Sequence, residues 1–254
     1  MKPKLFYTIW FSQRNGSSLL CEGLKSTGIA GVPEEFFHIP ADTSLVDHYQ
    51  VSDYESLQAA IWQAGSTPNG VFGVKVNAPS KENDPLTQQM HQLSGRPASA
   101  AGNFQVWNHF FPDFKHVFLS RRNKVRQAVS WWKAIVSENW HLKAGESKPY
   151  NPANIRDRYD FNAIRHLLIE TTLREAKIQD MLEQAGVTPL TIVYEDFIQN
   201  YEATVREVVS FLNIEHEGFE VKPPFYERLA DELSDEWTER FRKEIQAGWD
   251  RIIW

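Results

Sequence analysis

The stretch from Phe6 to Leu24 constrains the fold more than any other part of this chain. It runs Phe6-Tyr7-Thr8-Ile9-Trp10-Phe11, then Ser12-Gln13-Arg14-Asn15-Gly16-Ser17-Ser18, then Leu19-Leu20-Cys21-Glu22-Gly23-Leu24. An apolar β-type run is followed by a tight polar turn with one glycine, then by a segment of helical spacing. A strand feeding a turn that opens a helix makes an anion site, because the first N–H groups of the helix have no intrahelical partner. Arg14 adds a fixed charge with a planar fork of donors, and Ser17 and Ser18 add hydroxyls. A phosphate or sulfate group suits this turn. An ordinary strand–helix turn with serine caps would also carry such residues. Triphosphate-binding loops need Gly-Lys-Ser/Thr, with the lysine on the phosphates and the hydroxyl on magnesium. Here no lysine precedes either serine, and the arginine stands before the glycine. The turn therefore points to an anion held without Mg²⁺.

At 254 residues, with no Pro/Gly/Ser linker, low-complexity run or internal repeat, the chain reads as one α/β domain over 1–254. A net charge of −6 gives no general drive toward nucleic acid or acidic membranes, so any anion site must be local. The single cysteine, Cys21, excludes an internal disulfide and falls on the helix after the turn, where burial is expected. The first apolar run is too short for a signal-peptide core, and no later segment is long and apolar enough to span a bilayer. A soluble, cytoplasmic protein is expected.

Strands are predicted at Leu5–Phe11, Val71–Val76, His116–Ser120 and Leu190–Tyr194, each short, apolar and rich in β-branched or aromatic residues. Helices are predicted at Ser17–Ser26, Val51–Ala64, Lys124–Trp140, Phe161–Ala185 and Glu202–Leu212, with Gly28 and Gly186 placed as C-terminal caps. This alternation implies a central parallel sheet with helices on both faces. Ligands of such sheets bind outside the C-terminal ends of the strands. Ser12–Ser18, Asn77-Ala78-Pro79, Ser120–Lys124 and Tyr194-Glu195-Asp196 all fall there. Pro33–Val46 and Gly145–Asp157, with Pro149 and Pro152, read as irregular segments.

After the third strand comes Ser120-Arg121-Arg122-Asn123-Lys124-Val125-Arg126-Gln127-Ala128-Val129-Ser130. Arg122 sits at the strand exit, and Ser130 lies about two helical turns later. Cations at a helix N-terminus oppose the helix dipole. A bound anion would explain them; pairing with nearby carboxylates on a solvated helix start is the plain alternative.

Together these segments resemble the bacterial trehalose 2-sulfotransferase family, part of the sulfotransferase superfamily. Gln13-Arg14-Asn15-Gly16-Ser17-Ser18-Leu19-Leu20 is similar to that family's Gln-Arg-Ser-Gly-Ser-Thr-Leu-Leu loop, departing at Asn15 and Ser18. The likeness continues through Thr27–Phe37, Phe72–Lys75, Phe118–Ser130, Tyr194-Glu195-Asp196 and Arg228–Asp231. The resemblance implies a P-loop-like sulfotransferase fold and 3′-phosphoadenosine 5′-phosphosulfate (PAPS) as donor, with no metal. It places the 5′-phosphosulfate on Arg14, Asn15, Gly16, Ser17 and Ser18, the 3′-phosphate on Arg122 and Ser130, and the adenine near Tyr194. It makes Glu35 the base that takes the acceptor's proton, with Arg14 stabilising the leaving group. The acceptor would be a sugar, a glycolipid or another small alcohol, and a homodimer is implied.

Lys75 leaves the second strand toward the same edge and is assigned to the donor or the acceptor. His38 is a rival base on its ordinary pKa and a substrate contact. Asp196 reads as a helix cap, Trp131 and Trp132 as stacking or core residues, and Arg228 as a further 3′-phosphate contact. A P-loop nucleotide or sugar kinase and a non-catalytic nucleotide-binding module remain as alternatives. No His/Cys/Asp cluster has metal-ligand spacing.

Overall fold

Six of the seven residues of β1 (Leu5–Phe11) are buried, as expected of a strand covered on both sides. The computed structural model describes residues 2–40, 42–77, 84–95, 102–147 and 150–250. Within them β1 is joined by β2 (Val71–Asn77), β3 (Lys115–Ser120) and β4 (Leu190–Val193) in one parallel sheet of order β2-β1-β3-β4. Register pairs Leu5 with Val71, Tyr7 with Lys115, and Val117 with Leu190. The predicted strands are observed with ends displaced by at most one residue. The fourth stops at Val193 because Tyr194 already opens a short helix.

The connecting helices are α1 (Ser17–Ser26), α2 (Leu45–Tyr49), α3 (Tyr54–Gly65), α4 (Asp84–Leu93), α5 (Gly102–Phe110), α6 (Lys124–Ser137), α7 (Pro152–Ile155), α8 (Phe161–Gln184), α9 (Tyr194–Phe197), α10 (Tyr201–Phe211) and α11 (Glu232–Ile245). Side-chain alternation along the strands divides the core. Phe6, Trp10, Phe72, Val74 and Phe118 face α3 and α5, packing against Leu57, Ile61, Trp107 and Phe110. Tyr7, Ile9, Val117, Leu119 and Ile192 face α1 and α10, packing against Leu20, Leu24, Val205 and Val208. Helices therefore cover both faces. A third cluster joins α6, α8 and α11 through Val129, Ile164, Leu167 and Trp237.

The departures from the sequence expectations have local causes. α3 begins at Tyr54 rather than Val51 because Asp53 and Ser56 form a capping box. α6 ends at Ser137 rather than Trp140 because Glu138 turns left-handed, with φ 57°. The irregular stretch ending at Val46 gives way to α2 at Leu45, capped by Ser44. Gly145–Asp157 contains α7, started by Asn151 and Pro152, and the first part of a 3-10 turn at Arg156–Arg158. Gly28 ends α1 in the left-handed region, its N–H on the Lys25 carbonyl. Cys21 is buried as expected, and burial pushes its thiol up to about 12. Ala78, Pro79 and Pro149 lie outside the described residues. Among the described residues no helix is long and apolar enough to cross a membrane.

Candidate active site

The strand order places a topological switch beside β1: the chain leaves β1 for β2 on one side and returns to β3 on the other. At this end of the sheet a cavity of about 1510 Å³ opens above residues 13–19.

The turn from Ser12 to Gly16 is held at every residue. Ser12 Oγ donates to Glu175 Oε1 at 2.9 Å and accepts from Gln127 Nε2 at 2.8 Å. Gln127 also donates to the Gln13 carbonyl at 2.8 Å, and Arg174 donates to Gln13 Oε1 at 2.9 Å. Arg121 donates to the Arg14 carbonyl at 2.9 Å, and Asn15 Nδ2 donates to the Leu119 carbonyl at 2.7 Å. Arg14 itself is left-handed, at φ 62°, and Gly16 follows at φ 88°. Gly16 is required twice over, since a Cβ there would lie 2.7 Å from the Tyr194 ring. α1 starts at Gly16 with no side-chain cap and no acid in its first turn. No acid of α1 itself therefore stands against its leading N–H groups.

Behind the turn sits a buried carboxylate. Glu175 of α8, 5% exposed, accepts from Ser12 at the exit of β1 and from Ser120 at the exit of β3, the latter at 2.6 Å. It also pairs with Lys124 of α6 at 2.5 Å. One side chain thereby ties both strand ends to two helices.

The structure brings Arg14, Gly16, Ser17, Ser18, Glu35, His38, Lys75, Ser130 and Tyr194 around the one cavity. Arg14 Nε donates to Ser130 Oγ at 3.1 Å, joining two residues that the sequence reading placed on different anions, and its Nη1 donates to the Trp140 carbonyl. Burial and then the charge of Arg121 lower the Arg14 guanidinium to about 10, still protonated at neutral pH. Lys75, 6% exposed, donates to Ser18 at 3.2 Å and pairs with Glu35 at 2.6 Å. The Lys75 N–H on the Glu34 carbonyl keeps this segment beside β2. Glu34 is turned away to Lys25. His38 is exposed on the cavity rim.

Two expected residues stand elsewhere. Asn15 is fully buried under the turn and does not line the cavity. Arg122 is 59% exposed, paired with Asp196, and absent from the cavity wall; its neighbour Arg121 points inward instead, 4.5 Å above the Tyr194 ring. The plain alternative accounts for most of the basic run: Arg122, Lys124 and Arg126 pair with Asp196, Glu175 and Asp235. Asp196 is no helix cap: it lies within α9 and pairs with Arg122. α6 is capped by Asn123, whose side chain accepts from the Arg126 N–H at 3.0 Å, and Glu195 holds the strand exit before it, accepting from the Arg122 and Asn123 N–H groups at 3.0 and 3.1 Å. Trp131 lines the cavity, whereas Trp132 packs with α11 and bonds to the Arg158 carbonyl.

Sequence reasoning missed Arg121, Arg126 and His141 as cavity residues. Arg121 is buried, and burial first, with the charges of Arg228 and Arg126, lowers its pKa; all three arginines line the cavity. His141 stacks on Tyr226 at 4.8 Å. Burial first, then Arg14 and Lys75, hold its pKa below the ordinary value.

Comparison with known proteins gives the family. The Stf0 sulphotransferase family model matches residues 6–244. The trehalose 2-sulfotransferase of Mycolicibacterium smegmatis is 30% identical over 264 residues, covering 94% of this chain and 95% of that protein. That of Mycobacterium tuberculosis is 30% identical over 266 residues, with 94% of each covered. A solved sulfotransferase from Alicyclobacillus acidocaldarius overlays with a TM-score of 0.47 at 16% identity, covering 97% of this chain and 95% of that one.

Proposed function

We propose that this chain, which belongs to the Stf0 sulphotransferase family, moves a sulfuryl group from PAPS to a hydroxyl of a carbohydrate or another small alcohol. Sulfuryl transfer follows from the family; donor, mechanism and acceptor are our reading. One observation carries it: one cavity is lined by Arg14, by Lys75 with its partner Glu35, and by Arg121, Arg126 and Arg228. The turn with Arg14 suits a phosphosulfate. The wall of Arg121, Arg126, Arg228 and Ser130 suits a second phosphate on the same nucleotide. Arg122 joins that wall only by leaving Asp196. Tyr194, against Gly16 and under Arg121, offers a face near the adenine.

The reaction is read as an in-line displacement, by analogy with phosphoryl transfer. The acceptor oxygen bonds to sulfur, the bond from sulfur to the bridging oxygen breaks, and the acceptor proton passes to the Glu35 carboxylate. Charge grows on the bridging oxygen, where the leading N–H groups of α1, Arg14 and Lys75 would stabilise it. These fixed cations supply the stabilisation that a metal would otherwise give. Lys75 touches both the turn and the base, so it keeps Glu35 close to the sulfur while the donor binds.

Purified protein given PAPS and a panel of sugars should yield a product heavier by one sulfuryl group, with turnover insensitive to chelator. Glu35→Gln should lower kcat by about 10²–10⁴ while adenosine 3′,5′-bisphosphate still binds. Full activity in that variant would remove Glu35 as the base. Failure of the native protein to bind the bisphosphate would refute the donor.

A further inference from the structure

Residues 214–231, between α10 and α11, form no helix and no strand beyond the single bridge of Tyr226 to Lys143. Arg228 lies on this segment and lines the cavity. An irregular chain holds a long side chain in place only where its backbone is tied. Ties stand on both sides of Arg228. Before it, the Glu227 N–H donates to the Leu142 carbonyl at 2.8 Å, and the Ala144 N–H to the Phe225 carbonyl at 2.9 Å. After it, Lys133 of α6 donates to the Leu229 carbonyl at 3.1 Å, to Asp231 Oδ1 at 2.5 Å and to Ser234 Oγ at 2.8 Å. Asp231 is also the N-cap of α11, so one ammonium fixes the end of the segment and the start of the helix together.

Lys133 is 4% exposed, and a charge so buried is stable only with partners. Arg126, Ser130 and Lys133 follow one another at helical spacing along α6. The first two line the cavity, whereas Lys133 does not. It stands one turn beyond Ser130, whose hydroxyl accepts from Arg14, and has the Tyr150 ring 5.5 Å away. Lys133 is thus set back from any nucleotide in the cavity, and its hydrogen bonds run to the chain just after Arg228. Resting on the donor reading above, we propose that Lys133 is a positioning residue for the donor: by tying Leu229 and Asp231 to α6, it places the Arg228 guanidinium against the 3′-phosphate. The pair of Lys133 and Asp231 acts on donor affinity through Arg228 and leaves the reacting groups at Glu35 and Lys75 untouched.

The test uses the full chain with Lys133→Met and Asp231→Asn combined, which removes the ion pair without stranding a buried charge and leaves an asparagine to cap α11. Calorimetry compares adenosine 3′,5′-bisphosphate with adenosine 5′-monophosphate, and turnover is followed with PAPS and a sugar that the native chain sulfates. The bisphosphate should bind about tenfold more weakly, with the monophosphate within about twofold of native. The KM for PAPS should rise about tenfold, with kcat within about twofold of native. Once Arg228→Ala is present, adding the two substitutions should cost the bisphosphate less than about twofold more, because all three act as one unit. Should the combined variant fail to fold, Asp231→Asn alone shows a smaller loss in the same direction. Equal losses for the two nucleotides, an unchanged bisphosphate affinity, or a loss that persists undiminished beside Arg228→Ala overturns the proposal. Absence of bisphosphate binding in the native chain refutes the donor reading instead, and this inference with it.

Discussion

Replacing Gly16 by alanine tests the geometry of the turn against a built-in control. Both Gly16 and Gly28 are left-handed, at φ 88° and 70°. An alanine at either pays for that backbone, about 1–2 kcal/mol. Their surroundings differ. A Cβ on Gly28 meets nothing within 4 Å, whereas one on Gly16 would lie 2.7 Å from Tyr194 Cδ2 and 3.0 Å from Cε2. Relieving such a contact moves the ring, an overpacking cost of about 1–3 kcal/mol. At roughly 2–4 °C per kcal/mol for a chain of this size, Gly28→Ala should lower Tm by about 5 °C and Gly16→Ala by about 10 °C. Arg121 lies over the same ring, so Gly16→Ala should also weaken adenosine 3′,5′-bisphosphate binding by about tenfold, the loss of one charged hydrogen bond. Gly28→Ala should leave binding intact. Thermal melts and titration calorimetry read both effects. Tyr194→Ala and the double variant complete a cycle, in which the penalty of Gly16→Ala shrinks to the backbone term alone. Equal Tm losses for the two glycines, or strict additivity with Tyr194→Ala, would refute the reasoning.

Arg228→Ala should weaken the 3′,5′-bisphosphate by ~10–100-fold relative to the 5′-monophosphate, and Arg122→Ala, exposed and paired with Asp196, by far less; calorimetry with both nucleotides distinguishes them, and the reverse order would return the 3′-phosphate to Arg122. Glu175→Gln should raise the KM for PAPS about tenfold with little change in kcat, because its carboxylate sets the turn and touches no substrate; unchanged donor KM would show the turn holds itself. His116 is buried and accepts from Trp10 Nε1 at 3.0 Å, and burial lowers its pKa from 6.5 to about 4. The unfolded chain therefore binds the extra proton first, so stability is complete above pH 6.5 and falls by up to ~3 kcal/mol on going down to pH 4. Urea melts across that window should show the slope, and His116→Asn should flatten it; an unchanged slope would place the acid sensitivity elsewhere.

The elements nearest the site were the most legible in the sequence. β1, the turn and α1 show themselves by a burial pattern that changes from a strand's to a helix's across one glycine. α11 was not foreseen because its surface is so polar, although Asp231 and Ser234 form a capping box that marks its start. The choice between Arg121 and Arg122 could not be read from the sequence. Spacing to Ser130 favoured Arg122, but the direction of each side chain depends on how β3 leaves the sheet. There Glu195 holds the two N–H groups after Arg121 and turns Arg122 outward. His141 was hidden for a different reason. It follows the left-handed stop at Glu138, in a segment without periodicity, and joins the site only because the chain folds back to place Tyr226 beneath it. Glu175 looked like one charge among many on a long helix; its burial follows from where α8 crosses the two strand ends.

The cavity wall draws on both the earliest and the latest parts of the chain, from Phe11 to Ser234 and Thr238 of α11. A ribosome making this protein exposes the turn first and the closing helix last, more than 200 residues later. At ~5–20 residues per second that interval is roughly 10–40 s. Arg228 is made only four residues before α11, so the guanidiniums of Arg121, Arg126 and Arg228 come together only as the closing helix is made. The cationic wall and the helix that closes it are therefore completed together, at the end of synthesis.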